Sequence, residues 1–297
     1  MDRLLTTESR NPRSLAIDAM EPIEIVRLMN DEDRKVVDAV ARAAPQIAKG
    51  IELMAATLRN GRRVYYVGAG TSGRLGLLDA VELLPTFGVG PESVRTILAG
   101  GEAAVYKAVE GAEDDEKQGE REVERRVERG DLVLGIAASG TTPFVLGAVR
   151  AAKRIGASTV GITCNAGSPL ETLADHTIAV VVGPEVIAGS TRLKAGTAQK
   201  MVLNMLSTGA MIRLGKVYQN LMVDLRATNR KLRDRSRRIV TEATGATDDE
   251  ALAALGAAGG DVKTAIVMIR RGVSPDEARA LLQAAGGSIR RAVEGST

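Results

Sequence analysis

Hydroxyl side chains set among glycines recur three times in this sequence. The first set is GAGTSG, where Gly68, Gly70 and Gly73 surround Thr71 and Ser72. The second is SGTTP, with Ser139, Gly140, Thr141 and Thr142 ahead of Pro143. The third is GSTRLKAGT, residues 189–197, with Ser190, Thr191 and the cation Lys194. The first also reads as G-x-G-x-x-G, the dinucleotide fingerprint. A dinucleotide site needs in addition an acidic residue about 20 positions on, at the tip of the second strand, to hold the ribose. That strand, VRTIL (94–98), runs instead into Ala99-Gly100-Gly101, and Glu102 comes only after the glycines. Gly/Ser/Thr loops that open helices offer hydroxyls, free N–H groups and the positive end of a helix dipole, which together suit a phosphate. Any one loop is equally explained by helix capping. Three alike, two of them plainly at strand ends, point to a phosphate site.

Acid–base chemistry has few other carriers here. The one histidine, His176, leads into the apolar run TIAVVV, where capping or packing suits it. The one cysteine, Cys164, excludes an internal disulfide framework and a Cys-rich metal site. Proton transfer therefore falls to carboxylates.

The elements that must hold the loops alternate. Strand-like runs are RVYYV (63–67), VRTIL (94–98), DLVLGIAA (131–138), STVGIT (158–163) and TIAVVV (177–182), and helical segments lie between most of them. Such alternation predicts an α/β fold, a five-stranded parallel sheet with helices on both faces. Most of the runs are apolar throughout rather than alternating, which suits strands buried on both faces. Residues 1–30 read as irregular or weakly helical. Residues 31–60 carry apolar positions at helical spacing, split at Pro45. The segment 114–129 reads as an exposed helix with opposite charges one turn apart, such as Glu122 with Arg126. Residues 195–242 read as one long helix or two. From about 243 the texture changes to short amphipathic pieces, parted by glycine pairs at 259–260 and 286–287. The piece at 274–277, Ser-Pro-Asp-Glu, has the form of a capping box. This divides the chain into a large domain, 1–242, and a small helical domain, 243–297.

The chain has 297 residues and a net charge of +3, too little to argue for nucleic acid. The basic run KLRDRSRR (231–238) reads as a solvated helix face. Aromatics are 2% and tryptophan is absent, so single strands have no stacking platform. No apolar run is long enough to span a bilayer, and MDRLLTTESRNPRS has no apolar signal core. The expectation is a cytoplasmic protein without nucleic-acid or membrane partners.

The strand–hydroxyl-loop–helix units resemble the sugar isomerase (SIS) domain, which binds phosphosugars. More specifically, the chain resembles the N-acetylmuramic acid 6-phosphate etherase family. The matching stretches are TTESRN (6–11), GAGTSGRLGLLDA (68–80), ILAGGEAA (97–104), AVEGAEDD (108–115), GIAASG (135–140), GSTRLKAGTAQKMVLNMLSTGAMIRLGKVY (189–218), NLMVDLRATN (220–229) and VKTAIVM (262–268). They run through nearly the whole chain, including the C-terminal pieces, which the resemblance makes UBA-like.

The resemblance implies a homodimeric lyase of bacterial cell-wall recycling that needs no metal or organic cofactor. It implies a catalytic acid at Glu82 and a second catalytic glutamate at Glu113. It implies phosphosugar contacts from Gly70, Thr71, Ser72, Gly73, Ser139, Gly140, Thr141, Thr142, Ser190, Thr191 and Lys194. The local sequence suits the division. Val81, Leu83 and Leu84 flank Glu82, and apolar surroundings favour a protonated acid. Glu113 reads as the start of the charged helix, where the dipole favours a carboxylate, although Asp114 and Asp115 repel it. Taken alone, Glu82 also reads as a stray polar residue on a mostly buried helix, and Glu113 as an ordinary helix-start acid. The chain departs from the family at Val81-Glu82-Leu83-Leu84-Pro85, where Ser-Glu-Cys-Pro-Pro is usual. It also has Thr141 for an arginine and Gln219 for a glycine. A phosphosugar isomerase or a non-catalytic phosphosugar sensor would use similar loops. Sensors of this kind usually carry a DNA-binding or partner-binding extension, and residues 1–30 are too short for the former.

Overall fold

The computed structural model describes residues 5–224 and 230–295. Residues 225–229, part of the NLMVDLRATN stretch, lie outside the described residues, as do residues 1–4 and 296–297 and the side chains of Arg230 and Lys231. The chain divides into two compact units, residues 1–81 with 91–207, and residues 82–90 with 208–297.

The first unit opens with single 3-10 turns and then α1 (Pro22–Arg42) and α2 (Ala44–Arg59). Helix therefore begins about ten residues earlier than the apolar spacing implies. The cause is a cap that spacing cannot show: Pro22 stands in the first turn, and Glu24 reaches back to the Glu21 N–H at 2.9 Å. The break between the two helices falls at Ala43, beside Pro45, as expected.

Then strand and helix alternate: β1 (Val64–Gly68), α3 (Gly70–Phe87), β2 (Val94–Leu98), α4 (Ala103–Tyr106), α5 (Glu116–Arg126), β3 (Leu132–Ile136), α6 (Pro143–Ile155), β4 (Ser158–Thr163), α7 (Pro169–Leu173), β5 (His176–Ala179) and α8 (Lys194–Arg213). The five strands form one parallel sheet in the order β2-β1-β3-β4-β5. The five predicted strands are these five, each within three residues at its ends. Central β1 and β3 are buried along their whole length, whereas β2 and β5, at the edges, are partly exposed. One face packs Tyr65, Val67 and Val133 against Val123 of α5 and Phe144, Val145 and Val149 of α6. The other turns Tyr66 toward Met54 of α2 and Asp79 of α3. Helices thus cover both faces.

Helices α5 and α6 touch through two glycines. A Cβ on Gly119 would stand 2.0 Å from the Phe144 carbonyl oxygen, and one on Gly147 would stand 2.2 Å from that of Glu116. Salt bridges from Arg154 to Glu120 (3.3 Å) and Glu124 (3.0 Å) border the contact. The anticipated Glu122–Arg126 pair is present, one turn apart on α5.

The second unit contains a two-stranded hairpin, β6 (Val217–Tyr218) and β7 (Leu221–Met222), where one or two unbroken helices were expected. Strands of two residues are too short to show a period-two pattern. Gln219, in the turn, has φ of 54°. That left-handed value suits the glycine usual in the family. Helix α9 (Arg230–Thr244) follows, then α10 (Asp248–Ala257), α11 (Val262–Arg271), α12 (Pro275–Ala284) and α13 (Ile289–Glu294). Ser274 and Glu277 cap each other as the sequence implies. The core here joins Ile239 and Val240 of α9 to Ala265 and Ile266 of α11. Among the described residues, no single helix is long and apolar enough to cross a membrane.

Glycine to alanine in an ordinary helix gains about 1 kcal/mol. Gly119→Ala should instead lose about 1–3 kcal/mol, because the methyl meets backbone. The urea midpoint of the variant is expected to fall; a midpoint at or above wild type would contradict the contact.

Candidate functional site

Because the strands are parallel, every strand–helix loop after a carboxyl end emerges at one edge of the sheet. The chain leaves β1 toward β2 on one side, while β3 lies on the other. Such a reversal of strand order opens a crevice at the carboxyl ends of the two strands. The loops there are GAGTSG after β1 and ASGTTP after β3.

The first loop turns within very few residues. A Cβ on Gly68 would lie 2.7 Å from the Gly73 nitrogen, and one on Gly73 would lie 2.7 Å from the Gly68 oxygen. Gly70 has φ of 51°. Each glycine of the fingerprint is therefore required by the backbone, without reference to a nucleotide. Thr71 and Ser72 are half-buried in the first turn of α3. Ser72 donates its hydroxyl to Gln199 Oε1 at 3.0 Å.

In the second loop Ser139 Oγ accepts from the Thr141 N–H (3.2 Å) and hydroxyl (3.0 Å). Gly140 has φ of 72° and leaves no room for a Cβ beside Ser168. Thr142 precedes α6, but its side chain makes no capping hydrogen bond, so capping does not account for it. Asn165 Nδ2 donates to the carbonyls of Ala138 (3.0 Å) and Ser139 (3.4 Å) and steadies the loop from β4.

The third loop differs from its sequence reading. Ser190 and Thr191 are half-buried beside the start of α8, and Gly196 approaches Thr71, whose Cγ2 would be 3.6 Å from an added Cβ. Lys194, however, is 2% exposed and gives its ammonium to Glu32 at 2.7 Å. Its N–H and that of Ala195 donate to the Glu185 carboxylate at 3.0 and 2.9 Å. The helix start that was expected to meet an anion already has one, and Lys194 is spent on a buried ion pair.

The two glutamates fall in different units. Glu113 is exposed and belongs to the first. It does not open α5: Asp115 caps that helix by accepting the Gln118 N–H at 2.8 Å. The Glu113 carbonyl instead accepts the Phe144 N–H at 3.0 Å, which ties its turn to the first turn of α6 and so to the second loop. Glu113, Gly70 and Arg74 line one cavity of about 330 Å³. Glu82 is in the second unit, near the end of α3, and is exposed. Of its apolar neighbours only Leu83 is buried; Val81 is 59% and Leu84 47% exposed. The helix face around Glu82 is open, so the apolar shelter expected from sequence is not supplied by its neighbours in this chain.

Several residues of this edge carry no motif. Glu32 accepts from Lys194, Lys35 (2.6 Å) and Arg13 (3.0 Å). Burial alone would raise its pKa, but Lys194 and Lys35 bring it down to about 2. Burial pushes the Glu185 carboxyl up despite its two backbone donors, and pushes the Cys164 thiol up to about 12. TTESRN holds the loops together. Thr7 hydrogen-bonds Asn165 through its N–H (3.4 Å) and hydroxyl (3.1 Å), and its carbonyl accepts the Gly189 N–H at 3.0 Å. His176 Nε2 lies 2.7 Å from the Gln46 carbonyl, a packing role. Among the described residues, no three His, Cys, Asp or Glu side chains gather to hold a metal ion.

This fold and these loops define a sugar isomerase (SIS) domain. Models of the SIS domain match residues 106–209, and of the glucokinase regulatory protein N-terminal SIS domain residues 46–153. The chain is 56% identical to N-acetylmuramic acid 6-phosphate etherase of Symbiobacterium thermophilum over 89% of its own length and 88% of the relative's. It is 53% identical to N-acetylmuramic acid 6-phosphate etherase 1 of Bacillus licheniformis over 90% of this chain and 88% of that one. A phosphoheptose isomerase from Francisella tularensis is similar over 64% of this chain and all of its own, with TM-score 0.49 and 20% identity. The chain belongs to the N-acetylmuramic acid 6-phosphate etherase family.

The depressed carboxyl of Glu32 sets a pH window. Its folded pKa lies below the ordinary 4.5, so its contribution is complete above that value and is lost as pH falls toward about 2. Glu32→Gln strands the Lys194 charge and should cost about 3–5 kcal/mol at neutral pH. Urea melts of both proteins from neutral to acid pH should converge in this window. A constant difference down to the acid end would refute the ion pair's role.

Proposed function

We propose that the chain is a carbon–oxygen lyase that cleaves the lactyl ether of N-acetylmuramic acid 6-phosphate, giving N-acetylglucosamine 6-phosphate and D-lactate. The observation that carries this reading is the set of neutral hydroxyl loops at the carboxyl edge of the sheet, in a chain of the etherase family, with Glu113 tied to the second of them. The loops hold the phosphate: Gly70, Thr71, Ser72 and Gly73 from the first, Ser139, Gly140, Thr141 and Thr142 from the second, Ser190 and Thr191 from the third. Lys194 acts indirectly, by fixing the start of α8.

An ether resists cleavage because an alkoxide leaves poorly. The lactyl oxygen is on C3 of the sugar. Opening the ring to the C1 aldehyde makes the C2 proton acidic and puts the C3 oxygen in position for elimination. Glu113 takes the C2 proton. Glu82 gives a proton to the C3 oxygen as the C3–O bond breaks, releasing D-lactate and an unsaturated aldehyde. Water then adds, its hydroxyl to C3 and a proton to C2, and the ring closes. The sum is hydrolysis, and neither step calls for a metal or an organic cofactor. Two carboxyl groups in different surroundings can divide such work.

The acid half asks Glu82 to deliver a proton at the C3 oxygen, away from bulk water, yet in the single chain Glu82 is exposed. We read the exposed Val81 and Leu84, with Leu78 one turn earlier at 47% exposure, as a face that a second copy covers. The enzyme then works as a homodimer in the cytoplasm, in cell-wall recycling. We further propose 1–242 as the catalytic domain and 243–297 as a UBA-like helical domain; the compact packing of α10 to α13 supports the latter.

The two glutamates predict different failures. In heavy water Glu82→Gln should lose lactate release by about 10²–10⁴-fold and still exchange the C2 proton. Glu113→Gln should lose both. Mass spectrometry of the substrate at saturating concentration reads both events, with circular dichroism to check folding. Wild-type lactate release by the first variant, or wild-type exchange by the second, would remove that residue from its role.

A further inference from the structure

Gln199 stands early in α8 and is 1% exposed. Its Oε1 accepts the Ser72 hydroxyl at 3.0 Å. Its Nε2 is buried and has no hydrogen-bond partner among the described residues. Buried amide donors are almost always paired, so an orphan one marks a group whose partner is missing or whose orientation is about to change. Its neighbour Lys200 is committed elsewhere, to Asn204 at 2.7 Å and Asp79 at 3.8 Å.

The close approach of Gly68 and Gly73 fixes the backbone that carries Ser72. Only the serine's own torsions remain to be set. A serine hydroxyl has one hydrogen. While Gln199 Oε1 holds it, Ser72 can turn only lone pairs toward an anion. Turning the amide over exchanges its oxygen and nitrogen. Nε2 then donates to Ser72 Oγ, and the hydroxyl hydrogen is released toward the loop.

We propose that Gln199 is a positioning residue that makes Ser72 a phosphate donor. In the liganded protein Gln199 Nε2 donates to Ser72 Oγ, and the Ser72 hydroxyl donates to a phosphate oxygen. Hydrogen bonds are exchanged and no covalent bond changes. The buried donor gains its partner in the same step, while the amide oxygen gives up the Ser72 hydroxyl and takes the place the nitrogen left. A neutral amide serves better here than a buried cation, because it orients the hydroxyl without competing for the anion's charge. The inference rests on reading GAGTSG as a phosphate loop.

The test is calorimetric titration with N-acetylglucosamine 6-phosphate of wild type, Ser72→Ala, Gln199→Met and the double variant, each checked by circular dichroism. A hydrogen bond to a charged group predicts that Ser72→Ala binds about tenfold more weakly or worse. Gln199→Met should cost nearly as much alone and almost nothing in the Ser72→Ala background. Gln199→Glu keeps the size and decides the matter even if Gln199→Met fails to fold. Its carboxylate can only accept, so binding should be weak at pH 8 and recover, relative to wild type, as the carboxyl is protonated. Additive losses in the cycle, or a pH-independent deficit in Gln199→Glu, would overturn the inference and leave the phosphate loop standing. Wild-type affinity in Ser72→Ala would instead overturn the phosphate reading of this loop, and the inference with it.

Discussion

The contact between Gly68 and Gly73 governs the geometry of the candidate site. Neither residue can carry a Cβ. Without that contact the chain could not pass from the end of β1 into the first turn of α3 so abruptly. The turn aims the positive end of α3 into the crevice between β1 and β3, and it sets Thr71 and Ser72 there. A helix start held in this way favours negative charge over the distance of its first turn. The loop after β3 reaches the same edge because the two strands pair in parallel register, Gly68 beside Ile136. Glycine packing between α5 and α6 then draws the Glu113 turn onto α6.

Charge is handled separately from ligand binding. The ionisable groups buried at this edge have partners within the protein: Lys194 pairs with Glu32, and the Glu185 carboxyl accepts the first N–H groups of α8. A buried lone charge would be costly. The loops left facing the crevice present hydroxyls and backbone donors, an uncharged surface of the kind that suits an anion. Arg74, also beside the cavity, points its guanidinium at the carbonyls of Ala104 and Lys107, at 2.9 and 3.3 Å.

The parallel sheet was legible because its central strands are buried on both faces, and the sequences of β1 and β3 carry no polar–apolar alternation. The two clearest hydroxyl loops were legible because glycine is needed wherever backbone approaches backbone. The start of α1 was hidden by an unusual cap, Glu21, and the β6–β7 hairpin by strands of only two residues. Lys194 misled because a cation beside Ser-Thr reads as an anion ligand. Its true partner, Glu32, lies 162 residues away in sequence. Asn165 and Gln199 carry no motif, since an amide on a helix or loop has no pattern of its own. The surroundings of Glu82 differ from the sequence expectation because neighbours in sequence lie around a helix, and of Val81, Leu83 and Leu84 only Leu83 turns inward.

The central claim is that the hydroxyl loops hold the phosphate of a sugar, and binding by the whole protein tests it most directly. Titration calorimetry with N-acetylglucosamine 6-phosphate, unphosphorylated N-acetylglucosamine and NAD compares the three ligands at one pH and salt concentration. Saturable binding of the phosphosugar, with at least about tenfold weaker binding of the free sugar and none of NAD, is the predicted result. Equal binding of both sugars, or binding of NAD in their place, would contradict it.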